Sequence, residues 1–178
     1  VKNVSDKMIR RHPHVFGDKK QYKSSDQQIR DWEKIKEQER SKNTPSKTLD
    51  GIAGNLPALT YATKLQKRAA RVGFDWPDIS GVTDKISEEI DELNEARNEL
   101  SLDAQEEEYG DLMFVMVNFA RHLKIDPEKA LRGANKKFKK RFEQVEKELT
   151  LIGKTPNQSD LSEMDNLWNI VKQKENNR

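Results

Sequence analysis

The chain has 178 residues, 33% of them hydrophobic and 36% charged, and its 33 basic and 31 acidic side chains leave a net charge of +2. This near balance makes binding to nucleic acid through bulk positive charge unlikely to be its role, and three histidines without an HExxH pattern argue against a zinc hydrolase. The absence of cysteine excludes disulfides, thiolate metal sites and cysteine nucleophiles. No apolar run approaches about 18 residues, so we expect no membrane partner and a cytoplasmic location.

Helical patterns begin at the amino terminus. A first helix is predicted to end at Arg11, because the residue before Pro13 is disfavoured in the α region, and residues 14–23 are predicted to form a loop. A second helix is predicted from Ser25, which begins a capping box, to about Arg40. Residues 42–55 are rich in Asn, Pro, Ser and Gly and are predicted to be a linker.

Five more helices are predicted in the rest of the chain. They span Pro57 to Gly73, residues 83–100, Asp103 to about Lys124, Asp126 to about Leu151, and a last helix that begins at Asp160. No segment shows the alternation of a strand, so we predict an all-α fold, a helical bundle. The stretch Leu112–Ala120 is apolar at almost every position, which predicts a helix buried on all sides within a bundle or a dimer interface.

Two acidic pairs give the most specific functional signal: Glu89 with Glu92, and Glu108 with Asp111. Each pair is spaced i,i+3, so its two carboxylates share one helix face. The two pairs are mirror images of each other about residue 100, since 89 and 111, like 92 and 108, average to 100. A chain reversal near residues 101–103 would therefore bring all four carboxylates together. Such a cluster repels itself unless a cation compensates it. Oxygen ligands without histidine or cysteine favour Mg²⁺, with Mn²⁺ as a substitute, and therefore indicate phosphate chemistry.

Other side chains could complete a phosphate site. Glu88 could orient a water molecule, and Trp76 and Trp168 could stack against a base. The simpler alternatives are that Glu88 is only solvated and that the tryptophans are core residues. Cations at helical spacing could hold phosphates, or could simply form a solvated face: Lys64, Lys67, Arg68 and Arg71 on one helix, and Lys137 and Arg141 on another.

Several motifs, in order, resemble the MazG family of nucleoside triphosphate pyrophosphohydrolases: residues 65–77, 88–92, 108–111, 118–123 and 135–142. The resemblance implies a dimeric all-α enzyme that uses Mg²⁺ to hydrolyse a nucleoside triphosphate to the monophosphate and pyrophosphate, in nucleotide-pool housekeeping. It implies that Glu89, Glu92, Glu108 and Asp111 are metal ligands. It also implies that Lys137 and Arg141 contact the substrate phosphates.

The amino-terminal segments Lys7–Gly17 and Trp32–Lys36 resemble the stretch that joins the tandem domains of longer family members. We therefore expect residues 1–54 to be the remnant of a preceding domain and a helical linker arm. Residues 55–178 are then expected to form the MazG-like catalytic domain, with most of an amino-terminal domain absent.

Three alternatives remain open from the sequence. The chain could be a non-catalytic helical interaction module with an acidic surface, or a nucleic-acid-binding protein that uses its cationic stripes, which the small net charge disfavours. It could also be a Mg²⁺-dependent hydrolase of another phosphorylated substrate, for which every residue argument is the same.

Overall fold

The computed structural model describes residues 2–16, 24, 27, 31, 35, 47–99 and 101–176. These residues form helices and turns and no strand, which confirms the predicted all-α class. The chain divides into two compact units, Val1–Gly51 and Ile52–Arg178. Among the helices in the described ranges, none combines the length and the apolar character needed to cross a lipid bilayer.

The first unit contains helix α1, Lys2–Arg11, and the short helix α2, Pro13–Phe16. The predicted end of α1 at Arg11 is confirmed. The prediction of a loop from residue 14 is wrong for residues 14–16, because Pro13 begins a helical turn in which the Phe16 amide donates to the His12 carbonyl at 3.0 Å. The helix predicted from Ser25 to Arg40 lies mostly outside the described residues.

The second unit contains all five helices that the sequence predicts there. They are α3, Ala58–Arg71; α4, Ile79–Glu99; α5, Leu102–His122; α6, Pro127–Leu151; and α7, Leu161–Asn176, with a 3₁₀ turn at Pro156–Gln158. Helix α4 begins earlier than predicted, because the Asp78 carboxylate accepts from the Ser80 amide at 2.8 Å. Helix α5 is capped by Ser101 rather than Asp103, since the Ser101 hydroxyl accepts from the Ala104 amide.

Other helix ends follow the sequence signals. The Asp126 carboxylate caps α6 by accepting from the Lys129 amide at 3.0 Å. Gly73 closes α3 in the left-handed region at φ 88°, and the Phe74 amide donates back to the Ala69 carbonyl at 3.1 Å. A residue with a Cβ atom is strained in that conformation, which explains the glycine at this position.

Helices α4 and α5 pack along most of their length, and the short connection at residues 100 and 101 makes them antiparallel. Helix α5 also contacts α3 and α6, and α7 packs against α6. Small buried side chains line the hairpin, among them Val82, Ala96, Val115 and Val117. A second apolar cluster joins α6 to α7 and consists of Val145, Leu149 and Val171, flanked by Met164, Leu167 and Trp168.

The middle of α5 is only partly covered within one chain. Val115, Val117 and Asn118 are buried, but Phe114 is 41% exposed and Met116 is 44% exposed. Residues 112–120 are therefore not buried on all sides within one chain, because the neighbouring helices cover only part of the circumference of α5. Exposed apolar side chains on a central helix are available for a further contact.

Candidate metal centre and its surroundings

Three acidic side chains of the α4–α5 hairpin come together, as the symmetry of the two acidic pairs predicts. Glu89 of α4 and Glu108 and Asp111 of α5 each offer a carboxylate oxygen, and these oxygens lie within 4.8 Å of one another. Glu89 is only 3% exposed, whereas Asp111 faces solvent. We call these three residues the carboxylate cluster.

The fourth predicted ligand, Glu92, is exposed and stands outside the carboxylate cluster in this structure. Its charge nevertheless reaches the cluster. The pKa of Glu108 is raised above its ordinary value by desolvation and then by the like charges of Glu92, Asp111 and Glu89, with Glu92 the largest of the charges. Glu92 is thus a near neighbour of the cluster, and its role as a ligand remains a prediction.

The geometry of the carboxylate cluster suits a hard divalent cation. Mg²⁺ binds oxygens at about 2.1 Å in an octahedron, so ligand oxygens are about 3.0 Å apart when adjacent and about 4.2 Å apart when opposite. Oxygens within 4.8 Å of one another need to move by less than about 1 Å to satisfy this geometry. The donor set, carboxylates alone, is also the one that Mg²⁺ or Mn²⁺ prefers.

Lys85 is a member of this site that the sequence interpretation missed. Its ammonium donates to Glu89 at 2.7 Å and to Glu88 at 2.8 Å. The hydrogen bonds that Lys85 donates to Glu88 and Glu89 raise the pKa of Lys85 above its ordinary value. The i,i+4 spacing of Lys85 and Glu89 was a visible signal for the contact, but such pairs are common on exposed helix faces and carried no weight alone.

Arg141 of α6, one of the two residues predicted there to contact phosphates, lies beside aromatic rings. The Arg141 guanidinium lies 5.8 Å from the centre of the Trp168 ring, and the Phe138 ring lies 5.3 Å from Trp168. Arg141 donates to Glu175 of α7 at 2.8 Å, and hydrogen bonds from Arg141 and Lys140 hold the pKa of Glu175 below its ordinary value. Lys137 is exposed on the same helix.

The cationic stripe of α3 points away from the core. Lys64, Lys67 and Arg71 are exposed and Arg68 is half-buried. The inward polar residue of α3 is Gln66, which the sequence interpretation also missed. Its side-chain amide donates to the Phe114 carbonyl of α5 at 2.7 Å.

Trp76, a candidate for stacking against a nucleobase, lies in the loop between α3 and α4. Residues Gly73–Pro77 line a cavity of about 360 Å³, and the indole of Trp76 lies against Gly81 so closely that a Cβ atom there would overlap it. The loop is tied to α5, because Asp75 accepts from Arg121 and contacts His122. Desolvation alone would raise the pKa of Asp75. The hydrogen bonds and charges of Arg121 and His122 outweigh it and hold this pKa below its ordinary value.

Comparisons with known proteins agree with the sequence resemblance. Residues 79–146, which cover α4, α5 and most of α6, match the MazG nucleotide pyrophosphohydrolase domain. The chain is 47% identical over 174 residues to the nucleoside triphosphate pyrophosphohydrolase of Escherichia coli (strain K12), covering 97% of this chain and 66% of that protein. It is 41% identical over 172 residues to the nucleoside triphosphate pyrophosphohydrolase/pyrophosphatase MazG of Thermotoga maritima, covering 97% of this chain and 64% of that protein. The chain thus spans just under two thirds of the length of these relatives.

Proposed function

The chain belongs to the MazG family, and from that premise we propose that it hydrolyses nucleoside triphosphates between the α and β phosphates. The reaction depends on Mg²⁺ and gives a nucleoside monophosphate and pyrophosphate. The observation that supports it best is the carboxylate cluster, whose oxygens lie within 4.8 Å of one another on the segment that matches the family domain. The two relatives named above are pyrophosphohydrolases of nucleoside triphosphates by name.

The proposed metal ligands are the three residues of the carboxylate cluster and Glu92, whose charge contributes to the raised pKa of Glu108. A bound Mg²⁺ supplies positive charge that neutralises phosphate oxygens and polarises the attacking water. The protein contributes a fixed arrangement: Glu89 is held by burial and by Lys85, while Glu108 and Asp111 share one face of α5.

Glu88 is the proposed base for the attacking water. It directly precedes Glu89, is exposed, and is held by the Lys85 ammonium at 2.8 Å. In the proposed step the water oxygen forms a bond to the α-phosphorus, and the bond from that phosphorus to the bridging oxygen breaks. Glu88 accepts the proton of the water, and the bridging oxygen leaves with pyrophosphate.

We propose that Lys137 and Arg141 contact the phosphates of the nucleotide. Trp168 is the proposed stacking partner of its nucleobase. Arg141 already lies over the Trp168 ring, so a cation and an aromatic surface stand side by side on α6 and α7. Phosphates would compete with Glu175 for the Arg141 guanidinium. Further candidates for substrate contacts are the basic residues of α3 and one aromatic residue of the loop after it: Lys64, Lys67, Arg68, Arg71 and Trp76.

A second copy of the chain is the proposed partner for the exposed apolar side chains of the α4–α5 hairpin. Phe114 and Met116 of α5 are more than two fifths exposed, and Ile90 of α4 is exposed to 44%. Apolar side chains on a central hairpin are typical of a dimer interface. Light scattering of the purified chain tests this proposal, and a monomer at micromolar concentration would contradict it.

The reaction is tested by incubating the purified chain with a panel of nucleoside triphosphates, with and without Mg²⁺, and identifying the products by chromatography. We expect monophosphate and pyrophosphate only when the metal is present. Diphosphate with orthophosphate would instead place the cleavage at the γ-phosphate. No turnover of any nucleotide would leave the chain as a non-catalytic module and would contradict the proposal.

One pair of variants tests the site. We expect Glu89→Gln to lower Mg²⁺-dependent turnover by at least about 100-fold, roughly 2.8 kcal/mol, because the ligand that is lost is buried and charged. Glu95→Gln is the matched control: it removes one charge from an exposed position of the same helix. Circular dichroism should give the same helix content for both. Equal turnover by Glu89→Gln and the control would exclude the cluster as the catalytic centre.

A further inference from the structure

Glu89 is both the ion-pair partner of Lys85 and a member of the carboxylate cluster. The Glu89 carboxylate accepts from the Lys85 ammonium at 2.7 Å and also belongs to the group of oxygens within 4.8 Å of one another. Its side chain is only 4% exposed, whereas that of Lys85 is 31% exposed. Burying a carboxylate to this extent costs free energy unless a cation or several hydrogen-bond donors compensate it. Within the described residues near Glu89, the ammonium of Lys85 is that cation.

A divalent ion in the carboxylate cluster would stand on the same carboxylate as this ammonium. The two cations would then share one carboxylate group, and at such a short separation they would repel each other. Lys85 also has a second partner, Glu88, which is more exposed than Glu89. An ammonium displaced from Glu89 therefore keeps a counter-charge at hand and can move towards solvent without being left unpaired.

We propose that Lys85 is a positioning residue that acts as the resident counter-ion of Glu89 and lowers the affinity of the carboxylate cluster for divalent cations. In the metal-free chain Lys85 neutralises the buried charge of Glu89 through the 2.7 Å contact and holds its carboxylate in a fixed direction. When a divalent cation binds, the contact from Lys85 to Glu89 weakens and the contact to Glu88 remains. This inference rests on the proposed metal site, and it adds an antagonist built into the same helix.

The test measures Mg²⁺ binding without nucleotide, by calorimetry, for the wild-type chain and for Lys85→Met. We expect the dissociation constant of Mg²⁺ to fall by about tenfold in Lys85→Met, because the ion no longer meets a neighbouring positive charge. In a chelator, we expect Lys85→Met to melt at a lower temperature than the wild type, because Glu89 is then buried without its counter-ion. Mg²⁺ should raise the melting temperature of the variant more than that of the wild type.

Two further variants keep the test sharp. Lys139→Met is the control for net charge: Lys139 pairs with Glu143 at the same i,i+4 spacing, at 3.6 Å, but on an exposed face of α6. It should leave Mg²⁺ binding within about twofold of the wild type, since an exposed pair is largely screened. Lys85→Gln removes the charge but keeps a donor for Glu89, so it should show the same gain in affinity for Mg²⁺, which covers the case in which Lys85→Met fails to fold.

The outcomes separate this inference from the proposed function. Wild-type binding of Mg²⁺ with an unchanged or weaker affinity in Lys85→Met would overturn the role of Lys85 and leave the metal site intact. An equal gain in affinity in Lys139→Met would assign the effect to net charge and would also overturn it. If neither the wild type nor Lys85→Met bound Mg²⁺, both the inference and the metal site would fall.

Discussion

Leu149 offers the most direct test of how the second unit is held together. It is 0% exposed and lies in the apolar cluster that joins α6 to α7, beside Val145 and Val171. The same cluster packs against Trp168, the proposed stacking partner of the nucleobase. Leu149→Ala therefore removes packing at the point where α7, and with it one side of the proposed substrate site, is attached.

The expected loss of stability follows from the burial of this side chain. Leu149→Ala removes three carbon groups, and burial of each contributes about 0.8 kcal/mol, or about 2.4 kcal/mol in total. The cavity left behind adds to this, so the expected loss is about 3 to 4 kcal/mol. For a unit of roughly 130 residues this corresponds to a fall in melting temperature of about 10 to 15 °C.

The control lies two residues further along the same helix. Leu151 is 80% exposed, so Leu151→Ala should change the free energy of unfolding by less than about 0.5 kcal/mol. Urea denaturation followed by circular dichroism measures both variants against the wild type. Losses of equal size in the two variants, or a loss below about 1 kcal/mol for Leu149→Ala, would refute the packing argument.

Three further predictions concern single features. The raised pKa of Glu108 means that the folded chain holds this proton more tightly than the unfolded chain, so the resulting stability is present below the ordinary value of 4.5 and is lost as pH rises through the raised pKa. In a chelator, Glu108→Gln should thus melt above the wild type at neutral pH, and a gap that persists unchanged at pH 4 would contradict this. Gly81→Ala should displace the indole of Trp76 and shift its fluorescence towards longer wavelength, and an unchanged spectrum would refute the close approach. Gln66→Met should change the free energy of unfolding by less than about 1 kcal/mol, because it removes one hydrogen bond to Phe114 together with a buried oxygen that has no partner among the described residues. A loss above about 2 kcal/mol in a denaturation curve would mean that this oxygen is satisfied in solution.

Local signals in the sequence were sufficient for the helices of the second unit. The Asp126 cap, the Gly73 end of α3 and the Asp160 start of α7 each depend on atoms within a few residues along the chain. The i,i+3 spacing of Glu108 and Asp111 places both on one face of any α-helix, whatever packs around it. Composition, helical period and turn residues therefore predicted the all-α class, and the symmetry of the acidic pairs predicted where the carboxylates meet.

Burial and long-range contacts were decided only by the tertiary structure. Glu89 and Glu92 are equivalent by spacing, yet only Glu89 is buried, because α5 covers one of the two positions on α4 and not the other. That burial gives the ordinary i,i+4 contact from Lys85 its importance, since an ammonium beside a desolvated carboxylate interacts far more strongly than one in water. The partial exposure of Phe114 likewise depends on where α3, α4 and α6 lie around α5. A sequence specifies which side chains share a helix face, whereas the neighbours of that face, and hence its dielectric environment, come from segments far away in the chain.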